Sequence, residues 1–176
     1  MPEPVIVNVV STADLEQVVD LVKVSQLPYT IFNQKKYGGR VAYLKTPSMN
    51  GKVSIFSSGK LISVGTKSSE QAQLDLKNAV KILVSEGLIN PVNIVVKLRN
   101  IVAVHNLGIP VDLEEMALIV NGIYEPEQFP GLILRQDEPK VTYLVFTSGK
   151  IVMAGIKSLE DLDLAASKIK EIIDDL

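Results

Sequence analysis

The chain repeats itself. Ser58-Gly59-Lys60 returns as Ser148-Gly149-Lys150, an offset of 90. At that offset Phe56 meets Phe146, Gly65 meets Gly155, Lys67 meets Lys157 and Ser68 meets Ser158. Upstream the offset is 92. There Asn8 meets Asn100, Val10 meets Val102 and Leu15 meets Leu107. Val19-Asp20-Leu21 also meets Val111-Asp112-Leu113, Gly39 meets Gly131 and Pro47 meets Pro139. Ordered matches over most of the chain point to duplication rather than coincidence. A period near 90 is too long for a solenoid. The pattern predicts two half-domains, 1–95 and 96–176. The change of offset falls between Pro47 and Phe56, which places two extra residues at the turn-like run Ser48-Met49-Asn50-Gly51.

Composition limits the function classes. With 176 residues, 47% of them hydrophobic, the chain can bury a real core. A net charge of −2 argues neither for nor against nucleic acid, because a near-neutral protein can still carry a basic stripe. There is no cysteine, which excludes disulfides and thiolate metal sites. The single histidine, His105, builds no metal cluster alone and has no nucleophile, base and orienter set around it. A structural or surface role is expected for it. No glycine-rich phosphate loop occurs, and no catalysis, metal or cofactor is expected. The start of the chain has no secretory character and the apolar runs are strand-sized, so a cytoplasmic protein is expected.

Periodicity gives a coarse map. Val5 to Val10 is β-branched and predicts a strand. Leu15, Val18, Val19 and Val22 have helical spacing and predict a helix over 14–26. Arg40 to Lys45, Lys52 to Ser57 and Lys60 to Val64 predict strands, the last two joined by a tight hairpin at Ser58-Gly59. A second helix is expected over 69–86, stopped by Gly87, and its counterpart over 159–175. Helices on one face of an antiparallel sheet make an α+β fold. One feature resists that scheme. Tyr143, Val145, Ile151 and Met153 alternate with Leu144, Phe146, Val152 and Ala154, so both strand faces are apolar. Helices on one side leave the other face open to a ligand or to a second protein surface.

At these residues the chain resembles the archaeal-type TATA-box-binding protein family, over nearly its full length. The most specific segment is Tyr124-Glu125-Pro126-Glu127-Gln128-Phe129-Pro130-Gly131-Leu132-Ile133-Leu134-Arg135. Phe146-Thr147-Ser148-Gly149-Lys150 with Gly155-Ile156-Lys157 is similar to the family's hairpin signature, and Phe56 to Lys67 echoes it. Asn100-Ile101-Val102 matches its first-strand motif. The resemblance implies a pseudo-symmetric saddle, one curved antiparallel sheet with helices on the convex face. Its concave face would open and bend the minor groove of A·T-rich promoter DNA, the known mode of this family.

The resemblance also assigns roles. Phe129 and Phe146, with Tyr37 and Phe56 in the first repeat, match the wedges that slip between base pairs. Tyr37 departs from the usual phenylalanine. Asn8 and Asn100 match asparagines that donate to minor-groove acceptors, which the guanine amino group would obstruct. Val10, Ile62, Val102, Leu144 and Val152 would line the groove, with Pro130 beside the wedge. Val64 and Ala154 stand where threonine is usual and Ser54 where leucine is usual. Lys60, Lys67, Arg135, Lys150 and Lys157 match phosphate contacts, and Arg99, Lys36 and Lys140 add nearby charge. Tyr43 takes the place of an expected arginine matching Arg135.

The loop of Glu125, Glu127 and Gln128 matches the surface that receives transcription factor B, through which RNA polymerase is recruited. The matching loop, Asn33-Gln34-Lys35-Lys36, is basic, so a partner can choose between the two. The expected function is promoter recognition. The alternative is a divergent paralogue that acts as a protein-interaction module or binds DNA with little preference. A face left apolar is also a surface on which free copies could self-associate.

Overall fold

The structure, a computed structural model, describes residues 3–35 and 37–175, with Tyr37 described by its backbone. Lys36 and the Tyr37 side chain, both named above, lie outside the described residues. Asn8–Arg99 forms one compact unit and the rest of the described chain another, called here the first and second unit.

The division cuts through two strands, β1 (Val5–Asp14) and β6 (Lys97–Asn106), each counted below with the unit that holds most of it. In the first unit β1 leads to a short helix α1 (Leu21–Val24), β2 (Thr30–Phe32), β3 (Val41–Leu44), β4 (Lys52–Phe56), β5 (Lys60–Thr66) and helix α2 (Ser69–Ser85). The strands lie in the order β2-β3-β4-β5-β1, all antiparallel. The second unit runs β6 (Lys97–Asn106), α3 (Leu113–Ile119), β7 (Leu132–Gln136), β8 (Val141–Val145), β9 (Lys150–Ile156) and α4 (Leu159–Asp174), with strand order β6-β9-β8-β7. This is the α+β plan expected. Among the described residues no helix is long and apolar enough to cross a membrane.

The long helices begin where their caps dictate. Ser68 and Ser158 accept from the backbone N–H groups of Gln71 and Asp161 at 3.2 and 3.0 Å. That satisfies donors the first helical turn leaves unpaired. Each helix then buries one stripe. Leu76, Ala79, Val80 and Leu83 of α2 pack with Val53, Ile55 and Leu61. Leu162, Ala165 and Ile169 of α4 are buried likewise.

The expected helix over 14–26 shrinks to four residues. β1 runs on to Asp14 because Thr12, Ala13 and Asp14 pair with Ile62, Leu61 and Lys60. Leu15 and Val19 are buried as expected, but their N–H groups donate to Gly59 O and Ser57 O, both at 3.0 Å. The segment is therefore a clasp on the β4–β5 hairpin. Gly59 is required there, since a Cβ would stand 2.1 Å from Gln17 O and φ is +93°.

The ladder registers relocate the extra residues. Thr12 faces Ile62 as Val104 faces Val152, and Ile31 faces Tyr43 as Ile123 faces Ile133. Ile31 to Ile123 is 92 residues, whereas Tyr43 to Ile133 is 90. The β3–β4 and β7–β8 ladders keep 90 throughout, Tyr43 opposite Ser54 and Ile133 opposite Leu144. The insertion therefore lies in the loop 33–40 and not at Ser48–Gly51. Consequently Val41 holds the place of Gly131, Tyr43 that of Ile133, and Lys45 that of Arg135. The arginine counterpart is Lys45, whose ammonium donates to Met49 O at 2.9 Å and Asn50 O at 2.7 Å.

The units also tie helix to sheet differently. Asp75 of α2 is fully buried and accepts from Asn50 N at 3.1 Å and Gly51 N at 2.7 Å. Its counterpart in α4, 90 residues on, is Ala165. There the Tyr143 hydroxyl lies 3.0 Å from Ala165 O and 3.1 Å from Gln136 Oε1, sharing its one proton between them. Burial pushes the Tyr143 phenol up to about 12, against the smaller opposite pull of Gln136.

Candidate nucleic-acid interface

In each unit the strands have one face under helices and one face without them. In β9, Ile151, Met153 and Ile156 are buried, while Val152 and Ala154 between them are half-buried. In β8, Val141, Tyr143 and Val145 are buried, and Thr142 and Leu144 half-buried. β5 shows the same alternation, with Ile62 and Val64 on the open face. The apolar residues on both strand faces are thus accounted for. One set fills the core and the other forms a half-buried apolar surface.

Residues directly opposite in neighbouring antiparallel strands share a face. The pairing therefore lays out a row on each open face. In the second unit it reads Val104, Val152, Leu144, Ile133. In the first it reads Thr12, Ile62, Ser54, Tyr43. Val10 and Val102, half-buried between buried neighbours, extend these faces. Thr12, Lys52, Val104, Ile133 and Thr142 also belong to them and carry no role in the sequence reading, and Tyr43 lies on the face where that reading places the counterpart of Arg135. The signal that finds them is the pairing register, which single-strand periodicity does not carry.

Asn8 and Asn100 occupy matching, half-buried positions. Asn8 Oδ1 accepts from Gly65 N at 2.8 Å, and Asn100 Oδ1 from Gly155 N at 2.9 Å. A backbone N–H must meet the amide oxygen, so each side chain has one permitted orientation. Among the described residues its two N–H donors meet no partner.

Phe129 and Phe146 meet edge to face, centroids 5.8 Å apart at 63°. Both are half-buried. Gly131 makes room for them. A Cβ there would lie 2.9 Å from Phe129 Cε1, 3.1 Å from Phe146 Cε1 and 3.1 Å from Val145 O. Pro130 between them is exposed. In the first unit Phe56 is also half-buried, but the residue opposite it is Val41. Tyr37 sits in the 33–40 loop, the segment with two extra residues.

The cations are exposed and repeat-related. Lys60 and Lys150 open β5 and β9, Lys67 and Lys157 follow those strands, and Arg135 lies on β7. Glu125, Glu127 and Gln128 are exposed in a turn closed by the N–H groups of Gln128 and Phe129, both donating to Glu125 O at 2.9 Å. His105 is buried on the helix-covered face opposite Ile151, and among the described residues neither ring nitrogen has a partner. Burial holds its pKa below the ordinary histidine value. Among the described residues no cluster of His, Cys, Asp and Glu is arranged to hold a metal.

The fold and these faces define a class: a duplicated α+β protein that presents one helix-free, largely apolar sheet face per unit. A family model described as transcription factor TFIID, or TATA-binding protein, matches residues 3–85 and again 95–176. The TATA-box-binding protein of Methanocaldococcus jannaschii is 41% identical over 174 residues, covering 98% of this chain and 94% of that relative. That of Methanothermobacter thermautotrophicus is 42% identical over 165 residues, covering 93% and 90%. A solved structure of Methanococcus jannaschii TBP superposes with a TM-score of 0.88 at 37% identity, covering 99% of this chain and all of that one. The chain belongs to the TATA-box-binding protein family, and is a transcription factor rather than an enzyme.

Proposed function

We propose that the protein is a general transcription initiation factor that binds A·T-rich promoter DNA from the minor-groove side, bends it and recruits transcription factor B, and with it RNA polymerase. The observation that carries the reading is the matched pair of oriented asparagines set in apolar faces. Adenine N3 and thymine O2 offer acceptors in the minor groove, and the freed amide donors suit them. Val10, Ile62 and Val64 in one unit, and Val102, Leu144, Val152 and Ala154 in the other, supply apolar contact to sugars and base edges. Phe129 with Phe146, and Phe56 with Tyr37, act as wedges that hold a kink. Lys60, Lys67, Arg135, Lys150 and Lys157 neutralise phosphates. The turn Glu125–Gln128, aided by its two acidic side chains, receives transcription factor B.

The test is a binding and bending assay on end-labelled duplexes, A·T-rich against scrambled, over a salt series. Five phosphate contacts predict a slope of log affinity on log salt of about −4.5. Equal affinity for both duplexes with no bend sinks the reading.

A further inference from the structure

We propose that Ser54 makes the first unit tolerant of a G·C pair in the half-site it covers, while Leu144 holds the second unit to A·T. The inference rests on the minor-groove function proposed above and concerns how each unit reads its half. The two open-face rows differ in kind. Val104, Val152, Leu144 and Ile133 are all apolar, whereas Thr12, Ser54 and Tyr43 bring three hydroxyls into the row that holds Ile62. Ser54 is the central difference. It is flanked on its row by Ile62 and Tyr43, as Leu144 is by Val152 and Ile133. Only 8% exposed, it lies deeper than those half-buried flanks.

Guanine shows the minor groove an amino donor that A·T pairs lack. A leucine against that group fills its space and leaves it unpaired. A serine hydroxyl both accepts and donates. It can take a hydrogen bond from the guanine amino group or give one to adenine N3 or thymine O2, and its smaller volume leaves room for the extra substituent. Lys52 reinforces the contrast. It shares the face with Ser54, two residues away, and its ammonium stands 4.9 Å from the Tyr43 ring centroid. Its counterpart 90 residues on is Thr142. A cation on the face adds attraction to DNA that carries no sequence information. The first unit thus combines more charge with looser reading, and the second less charge with stricter reading.

The test compares an all-A·T duplex with duplexes carrying one G·C pair in either half-site. The chain has no cysteine, so Ser58→Cys in the exposed β4–β5 turn takes a single tethered DNA-cleaving iron chelate. Its cut positions report which half lies under the first unit. G·C under the second unit is expected to weaken binding about tenfold or more, within the usual single-pair penalty, and under the first less than about fivefold, below it. Ser54→Ala, which removes the hydroxyl and adds no bulk, is expected to raise the first-half penalty. Leu144→Ser is expected to lower the second. Equal penalties in the two halves, or an unchanged first-half penalty in Ser54→Ala, overturn the inference. Failure of the all-A·T duplex to bind better than a scrambled one strikes the proposed function instead.

Discussion

Gly131→Ala is the smallest change that disturbs the phenylalanine pair. The new methyl would stand 2.9 and 3.1 Å from the two ring carbons and 3.1 Å from Val145 O. Comfortable carbon contacts lie at about 3.5–4.0 Å, so at least one ring retreats by roughly half an ångström. The carbonyl cannot retreat freely, because Val145 is paired with Leu132 across the β7–β8 ladder. Overpacking of this kind costs about 1–3 kcal/mol, and the displaced ring contact is itself worth about 0.5–1.5 kcal/mol. With a total near 3 kcal/mol and an m-value of about 2 kcal/mol/M, the urea midpoint falls by about 1.5 M. Affinity for A·T-rich DNA is expected to fall about tenfold, with a smaller bend measured between end labels. Val41 already fills the matching place in the first unit, so the variant makes the units more alike. An unchanged midpoint together with unchanged bending refutes the reasoning.

Asp75→Asn keeps the side-chain shape but offers only one oxygen to the two N–H groups of Asn50 and Gly51. We expect a loss of about 2–3 kcal/mol in urea unfolding, and a loss under about 1 kcal/mol would sink the account. Burial holds the folded His105 pKa below the unfolded 6.5. Stability is then fully present above about pH 6.5 and falls as pH drops below it, because the unfolded state takes up the proton first. His105→Leu should show a shallower decline in thermal midpoint between about pH 7 and 5, and identical profiles would contradict this. Glu125→Lys with Glu127→Lys should abolish a mobility-shift band with transcription factor B while leaving the binary DNA complex unchanged. An intact ternary complex removes the factor from this turn.

The long helices were legible because their signals are local. Ser68 and Ser158 cap them, and apolar residues recur at helical spacing. The duplication was legible too, but its alignment was not. Gly39 matches Gly131 and Pro47 matches Pro139 by identity, yet the ladders put Val41 and Met49 in those places. Identity of two glycines says nothing about which strand neighbour each faces, and only the pairing does. The segment 14–26 misled for a related reason. Leu15 and Val19 are buried at a spacing a helix also produces, but their N–H groups are claimed by a distant hairpin. Strand β2 left no periodicity because three residues are too few to show any. The apolar residues on both faces of β8 and β9 were visible from the start, and they mark the open face correctly in both position and character.

The two helix-to-sheet ties have a consequence for chain engineering. The units look like interchangeable modules, but α2 and α4 are not interchangeable parts. Grafting α4 into the first unit would remove Asp75 and strand the Asn50 and Gly51 N–H groups. Grafting α2 into the second would put a buried carboxylate where Ala165 now has a methyl group, while the carbonyl that the Tyr143 hydroxyl meets is backbone and would remain. Each half carries its own lock. A chain built from two copies of one half must carry its matching helix and loop together.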